Sequence, residues 1–235
     1  MDTDSLADRP WILLGGTLCT EILFEDMLDT LAVPPQHRQH IPLDQPKVED
    51  YACVLSDLPR GAVVCGFSLG ALVAAHHADR MSAHRLILFG VNPFADDPVC
   101  AVRRHDLARD VKARGGAAAL MARPPEVFGP TADQTRARIC EMADATSHMI
   151  DAQTRLSLTR PGAVPALARA RMPVLALAGT QDRITPPSYG IAAAQAAPDG
   201  LFIPLEGLGH YALLEDPQAC ASAVMQATKV THDGT

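Results

Sequence analysis

The chain has no apolar run long enough to cross a bilayer. Runs such as 62–65 and 174–178 hold four and five residues, against roughly 20 for a spanning helix. It has no excess of positive charge: 20 Lys and Arg stand against 27 Asp and Glu, for a net charge of -7. That excludes a nucleic-acid binder working through a broad basic surface. It has no Cys-x-x-Cys pair. Cys19, Cys53, Cys65, Cys100, Cys140 and Cys220 are scattered, the distribution of reduced, mostly buried thiols rather than of a disulfide framework or zinc site. The first ten residues lack the basic segment and apolar stretch of a secretory signal. Neither metal-ligand spacing nor a phosphate loop is visible, so no cofactor and no metal are expected. No internal repeat or low-complexity linker interrupts the chain. What is there is 235 residues, 48% hydrophobic, with a mean hydropathy of +0.06, enough for one globular core. The expectation is a cytoplasmic protein with no nucleic-acid and no membrane partner, its oligomeric state left open.

Short apolar runs alternate with amphipathic stretches, the pattern of an α/β sheet with crossover helices. Trp11-Ile12-Leu13-Leu14 reads as a buried strand ending at Gly15-Gly16. Thr20 then caps a helix whose face is Phe24, Met27, Leu28 and Leu31, ended by Pro34-Pro35. A weak strand over 39–43 and a helix over 47–58 follow. Ala62-Val63-Val64-Cys65 is the next strand, and a helix covers 71–81. Leu86-Ile87-Leu88-Phe89 is a strand. From 93 to about 169 only helical patterns appear. Strands return at 173–178 and 201–205, and a last helix starts at Asp216-Pro217.

The most informative segment is Gly66-Phe67-Ser68-Leu69-Gly70, entered from an apolar strand and left by a helix. A serine on so sharp a turn is forced into a strained conformation that lifts its hydroxyl clear of the sheet. The flanking glycines are needed where a β-carbon would collide with strand or helix. The alternative is an ordinary glycine-rich turn. A hydroxyl needs a base within hydrogen-bond reach, and His210, in Leu208-Gly209-His210 after the last strand, is the candidate. His37, His40, His76, His77, His84 and His232 read as structural or exposed. His105 and His148, in the helical segment, are weaker candidates for ligand contact. The acid that holds the imidazole would be Asp182, in Gly179-Thr180-Gln181-Asp182, with Asp96 or Asp97 as the fallback. An oxyanion hole needs two backbone N–H groups. Leu69, after the serine, supplies one. The Gly15-Gly16-Thr17-Leu18 loop supplies the other, from Thr17 or, one residue on, Leu18.

Gly15-Gly16-Thr17, Gly66-Phe67-Ser68-Leu69-Gly70, Gly179-Thr180-Gln181-Asp182 and Gly209-His210 together resemble the α/β-hydrolase superfamily. The flanks resemble small bacterial esterases of the pimeloyl-acyl-carrier methyl esterase and menaquinone-pathway type. The resemblance implies a mostly parallel six-stranded α/β-hydrolase sheet with flanking helices. It also implies a helical lid over 93–169, a core of 10–92 and 170–228, and loose tails at 1–9 and 229–235. The family's two opening strands are expected to be missing. Gly15-Gly16 departs from the His-Gly common in the family, which puts that loop's geometry, not the reaction, in question.

The chemistry implied is hydrolysis of a carboxylic ester, thioester or lactone through a Ser-His-Asp triad. Serine excludes the aspartate-nucleophile epoxide hydrolases and dehalogenases. Acyltransfer, elimination, C–C hydrolysis, and a receptor or binding module on the same scaffold stay open. Ten Lys and Arg against nine Asp and Glu lie in 93–160. The simpler expectation is mixed-charge solvated faces; the sharper one is steering of an acidic, carrier-bound or carboxylated substrate. Met121, Met142 and Met149 are expected to fill core or line an adaptable pocket.

Overall fold

The computed structural model describes residues 5–230, without the side chains of 229 and 230. Six strands form one sheet: β1 (Trp11–Leu14), β2 (Arg38–His40), β3 (Val63–Phe67), β4 (Arg85–Phe89), β5 (Val174–Gly179) and β6 (Gly200–Leu205). Their order is β2-β1-β3-β4-β5-β6, and every pairing is parallel. Parallel strands need crossovers that cover both faces, so β1, β3, β4 and β5 are wholly buried and, apart from Arg85 at the start of β4, built of apolar residues.

Alternation along each strand divides the interior into two cores. Trp11, Leu13, Cys65, Ile87 and Leu177 face one side. There they meet Phe24, Met27 and Leu28 of α1 (Ile22–Thr30), together with α10 (Ala212–Glu215) and α11 (Pro217–Val230). Ile12, Leu14, Val64, Leu88 and Ala176 face the other. That side is covered by α2 (Ala52–Ser56), α3 (Leu69–His76), α8 (Val164–Leu167) and α9 (Pro187–Ala196). Between β4 and β5 the chain makes α4 (Ala101–Arg114), α5 (Gly116–Met121), α6 (Ala132–Ala145) and α7 (Ile150–Thr159). These helices share a small core of their own: Ala108, Val111, Ala119, Ala143 and Ile150, joined by Leu18 from the loop after β1.

Several expected boundaries move. The second strand is Arg38–His40 rather than 39–43, because it is a partly exposed polar edge fixed by pairing with β1, not by an apolar run. The helix expected over 47–58 is a 3-10 turn at Val48–Tyr51 followed by α2. The helix expected over 71–81 begins at Leu69 and ends at His76. The N-cap of α1 is Glu21, whose side chain makes no capping bond, rather than the expected Thr20; Thr20 stands one residue earlier and accepts from Ile22 N–H at 3.3 Å. Within the expected N-terminal tail, Leu6–Asp8 forms a 3-10 turn with Leu6 buried, and Trp11 Nε1 donates to the Leu6 carbonyl at 2.9 Å. Residues 1–4 and 231–235 lie outside the described residues. Only Cys19, Cys65 and Cys220 are buried, while Cys53 is exposed and Cys100 and Cys140 are half-buried. No helix among the described residues is long and apolar enough to cross a membrane.

Candidate active site

Ser68 sits between β3 and α3 with φ 52° and ψ -115°, a left-handed conformation that costs a non-glycine residue about 1–3 kcal/mol. The chain must reverse there from a buried strand into a buried helix. Its N–H donates to the Phe89 carbonyl at 2.9 Å. A β-carbon on Gly66 would stand 2.5 Å from Ala71 Cα, and one on Gly70 would land on the Leu14 carbonyl. The two glycines are therefore steric requirements of the turn.

His210, after β6, brings Nε2 to 3.1 Å from Ser68 Oγ. Its Nδ1 lies 2.8 Å from Asp182 Oδ2. The ring packs against Phe67 (centroids 4.9 Å apart) and Tyr211 (5.5 Å). Gly90, with φ +55°, leaves room for it: a β-carbon there would meet His210 Cε1 at 3.3 Å. Asp182 is buried, and Oδ1 accepts from the N–H groups of Ile184 and Thr185, both at 2.8 Å. Burial alone would raise its carboxyl pKa. The hydrogen bond and charge of His210, with the Thr185 donors, outweigh burial and hold it below the usual carboxylate range.

The structure thus brings Ser68, His210 and Asp182 together, and it brings Thr17 and Leu69 beside them. Leu69 is the first residue of α3, where the helix leaves N–H groups without intrahelical partners. On the loop after β1, Leu18 N–H donates to Gln153 Oε1 at 3.0 Å. Thr17 N–H is left without a partner among the described residues. Burial pushes the neighbouring Cys19 thiol up to about 12, so it is no rival nucleophile at neutral pH.

Two cavities meet at Ser68. One of about 300 Å³ is lined by Thr17, Leu107, Leu120, Gln153 and His210. The other, of about 410 Å³, is lined by Leu69, Asn92, Phe94, Arg160 and Tyr189. Arg103 and Arg104 border both. Arg104 and Arg160 clamp Asp96, at 2.5 and 2.7 Å, whereas Arg103 has no carboxylate partner among the described residues. Asp96 is therefore a structural anion, and Asp97 caps a turn by accepting from Val99 N–H. Neither joins the relay. His105 lines a separate groove of about 810 Å³ beside Arg109 and Lys112, and His148 is exposed. Met142 and Met149 are buried, Met121 is exposed, and none of the three lines the two cavities.

Three residues escaped the sequence reading. Thr185 Oγ1 lies 2.7 Å from Asp182 Oδ2; a hydroxyl three residues past a turn-forming Asp was the available signal. Glu215 is buried and accepts from Gly209 N–H at 2.6 Å, bracing the loop that carries His210. Its place directly after Leu213-Leu214 was the hint. Gln153 is a polar residue on the buried face of α7.

The model of the "Alpha/beta hydrolase family" matches residues 28–223. The chain belongs to that family. It is 28% identical to a pimeloyl-[acyl-carrier protein] methyl ester esterase of Aromatoleum aromaticum, over 77% of this chain and 79% of that protein. A thermophilic esterase from Thermogutta terrifontis superposes with a TM-score of 0.78 at 21% identity, covering 95% of this chain and 90% of that one. MenH from S. aureus does so at 0.75 and 16%, covering 94% and 93%. The six-stranded parallel sheet with helices on both faces is thus the α/β-hydrolase fold.

Proposed function

We propose that this chain is a serine hydrolase that cleaves a carboxylic ester through an acyl-enzyme. One observation carries the reading: a continuous relay from Ser68 Oγ through His210 to Asp182, at 3.1 and 2.8 Å, opening on a cavity. Ser68 Oγ attacks the ester carbonyl while His210 Nε2 takes its proton, and Asp182 stabilises the resulting imidazolium. The N–H groups of Thr17 and Leu69 receive the oxyanion. His210 then protonates the leaving alcohol, and water, deprotonated by the same imidazole, releases the acid and restores the serine. The helices of 93–169 act as the lid over this site.

The esterase from Aromatoleum aromaticum is named for a carrier-bound methyl ester, which favours a methyl ester on an acyl carrier here. Arg103, a guanidinium with no carboxylate partner among the described residues and at the edge of both cavities, supports an ester that carries, or is carried by, an acidic group. The test is a panel of methyl esters, lactones, acyl thioesters and amides, free and carrier-bound, with Ser68→Ala as the control. The expected result is turnover of methyl esters, abolished in Ser68→Ala, with carrier-bound turnover falling as salt rises. Covalent labelling by a fluorophosphonate without turnover of any ester would favour a receptor on the same scaffold.

A further inference from the structure

The loop that carries Thr17 is not held by the sheet alone. Leu18 has φ +59°, a conformation that an L side chain adopts only when its surroundings enforce it. Two contacts enforce it, and both come from the helical segment. The Leu18 side chain is buried in the small core of α4 to α7, beside Ala108, Val111 and Ile150. Its N–H donates to Oε1 of Gln153, on α7 and 135 residues away in sequence, at 3.0 Å. Gln153 is itself 1% exposed and borders the same cavity as Thr17, Ser68 and His210. Its Nε2 has no hydrogen-bond partner. A buried amide with half its capacity unused is a cost that a core-filling Leu or Met would avoid. What the amide provides is the acceptor for Leu18.

We infer that Gln153 is a positioning residue: its Oε1 fixes the Leu18 peptide so that the adjacent Thr17 N–H points at the developing oxyanion. With Leu18 N–H engaged, the Thr17 donor is the one left for the reaction. The lid is then part of the oxyanion hole's support, and a lid helix out of place leaves the hole with Leu69 alone. The inference rests on the hydrolase reading above but concerns a contact that exists whether or not an ester is the substrate.

Gln153→Met removes the acceptor while keeping length and volume. On a short neutral p-nitrophenyl ester, with active sites counted by the acylation burst, kcat should fall about 10- to 100-fold, since removal of an oxyanion donor outright costs about 10²–10³. KM should stay within about two-fold. Hydrogen exchange at the Leu18 amide, the one that Gln153 holds, should quicken at least tenfold, a readout that needs no turnover. Gln153→Glu, which keeps an acceptor oxygen on the same stem, should recover exchange protection and part of kcat. Should Gln153→Met lose its cooperative unfolding transition, Gln153→Asn, which withdraws the same amide by one methylene, is judged by the same criteria. Unchanged kcat and exchange would overturn the inference. So would a loss confined to KM, which would make Gln153 a substrate contact, or a Glu variant no better protected than the Met one. Failure of the hydrolase reading itself is separately visible, as wild-type protein that neither labels nor turns over.

Discussion

Thr185 Oγ1 donates to Asp182 Oδ2 at 2.7 Å while lying 3.1 Å from His210 Nδ1, so one hydroxyl braces both partners of the relay. Thr185→Val removes that brace without removing bulk. Its kcat should fall roughly tenfold, the scale of one hydrogen bond to a charged group. Asp182→Asn, which presents the wrong partner to His210 Nδ1, should cost roughly 10³–10⁴ in kcat with the fold intact. Steady-state kinetics on one ester checks both. A Thr185→Val enzyme with unchanged kcat would leave the hydroxyl a purely local cap.

Gly70→Ala should be a folding lesion rather than a catalytic one. Its β-carbon would occupy the space of the Leu14 and Gly15 carbonyls, where neither β1 nor α3 can withdraw without unpacking. Urea unfolding should show a loss of about 3 kcal/mol or more. An unchanged midpoint would mean that the contact between α3 and β1 is looser than described.

How much of this was written in the sequence depends on what holds each element. β1, β3, β4 and β5 are apolar on both faces, so their runs stood out, and the glycines around Ser68 were legible because sterics demand them. Ser68, Asp182 and His210 stood out as candidates because each lies on the turn or loop that leaves the end of a strand. β2 was misjudged because Arg38–His40 has no apolar signature and takes its place only from pairing with Trp11, Ile12 and Leu13. Gln153, Thr185 and Glu215 act through contacts that join distant segments. Nothing local distinguishes Gln153 from any helical glutamine until α7 meets Leu18.

Asp96 links the pH dependence of stability to the helical segment. Burial would raise its carboxyl, but the hydrogen bond from Arg104 and the charges of Arg160 and Arg104 hold it below the usual range. A depressed carboxyl stabilises fully above its unfolded pKa, near 4, and the gain is lost as pH falls through the lower folded value. Wild type should therefore lose more stability than Asp96→Asn as pH falls from 6 to about 2.5. At pH 7 Asp96→Asn should be destabilised by roughly 2–4 kcal/mol, because two guanidinium groups lose their common partner. Parallel pH profiles of the urea midpoint would contradict this.

Glu215 carries the opposite sign. Burial pushes its carboxyl up, only partly offset by the Gly209 N–H. The protonated form is the one the fold favours, so its contribution is complete below the unfolded pKa and is lost as pH rises through the folded value. Glu215→Gln keeps an oxygen for Gly209 N–H and removes the charge. Its advantage over wild type should grow as pH rises above the ordinary glutamate pKa, near 4, with turnover retained. Equal thermal stability of the two proteins at every pH would show that the carboxyl is not under strain.

The acyl-enzyme can be caught directly. Wild-type protein mixed with excess p-nitrophenyl ester, quenched in acid within milliseconds and digested, should yield the peptide containing Ser68 heavier by one acyl group. His210→Ala and Ser68→Ala should not. Acyl mass on a different residue, or equal acylation of Ser68→Ala, would contradict the assignment of Ser68 as the nucleophile.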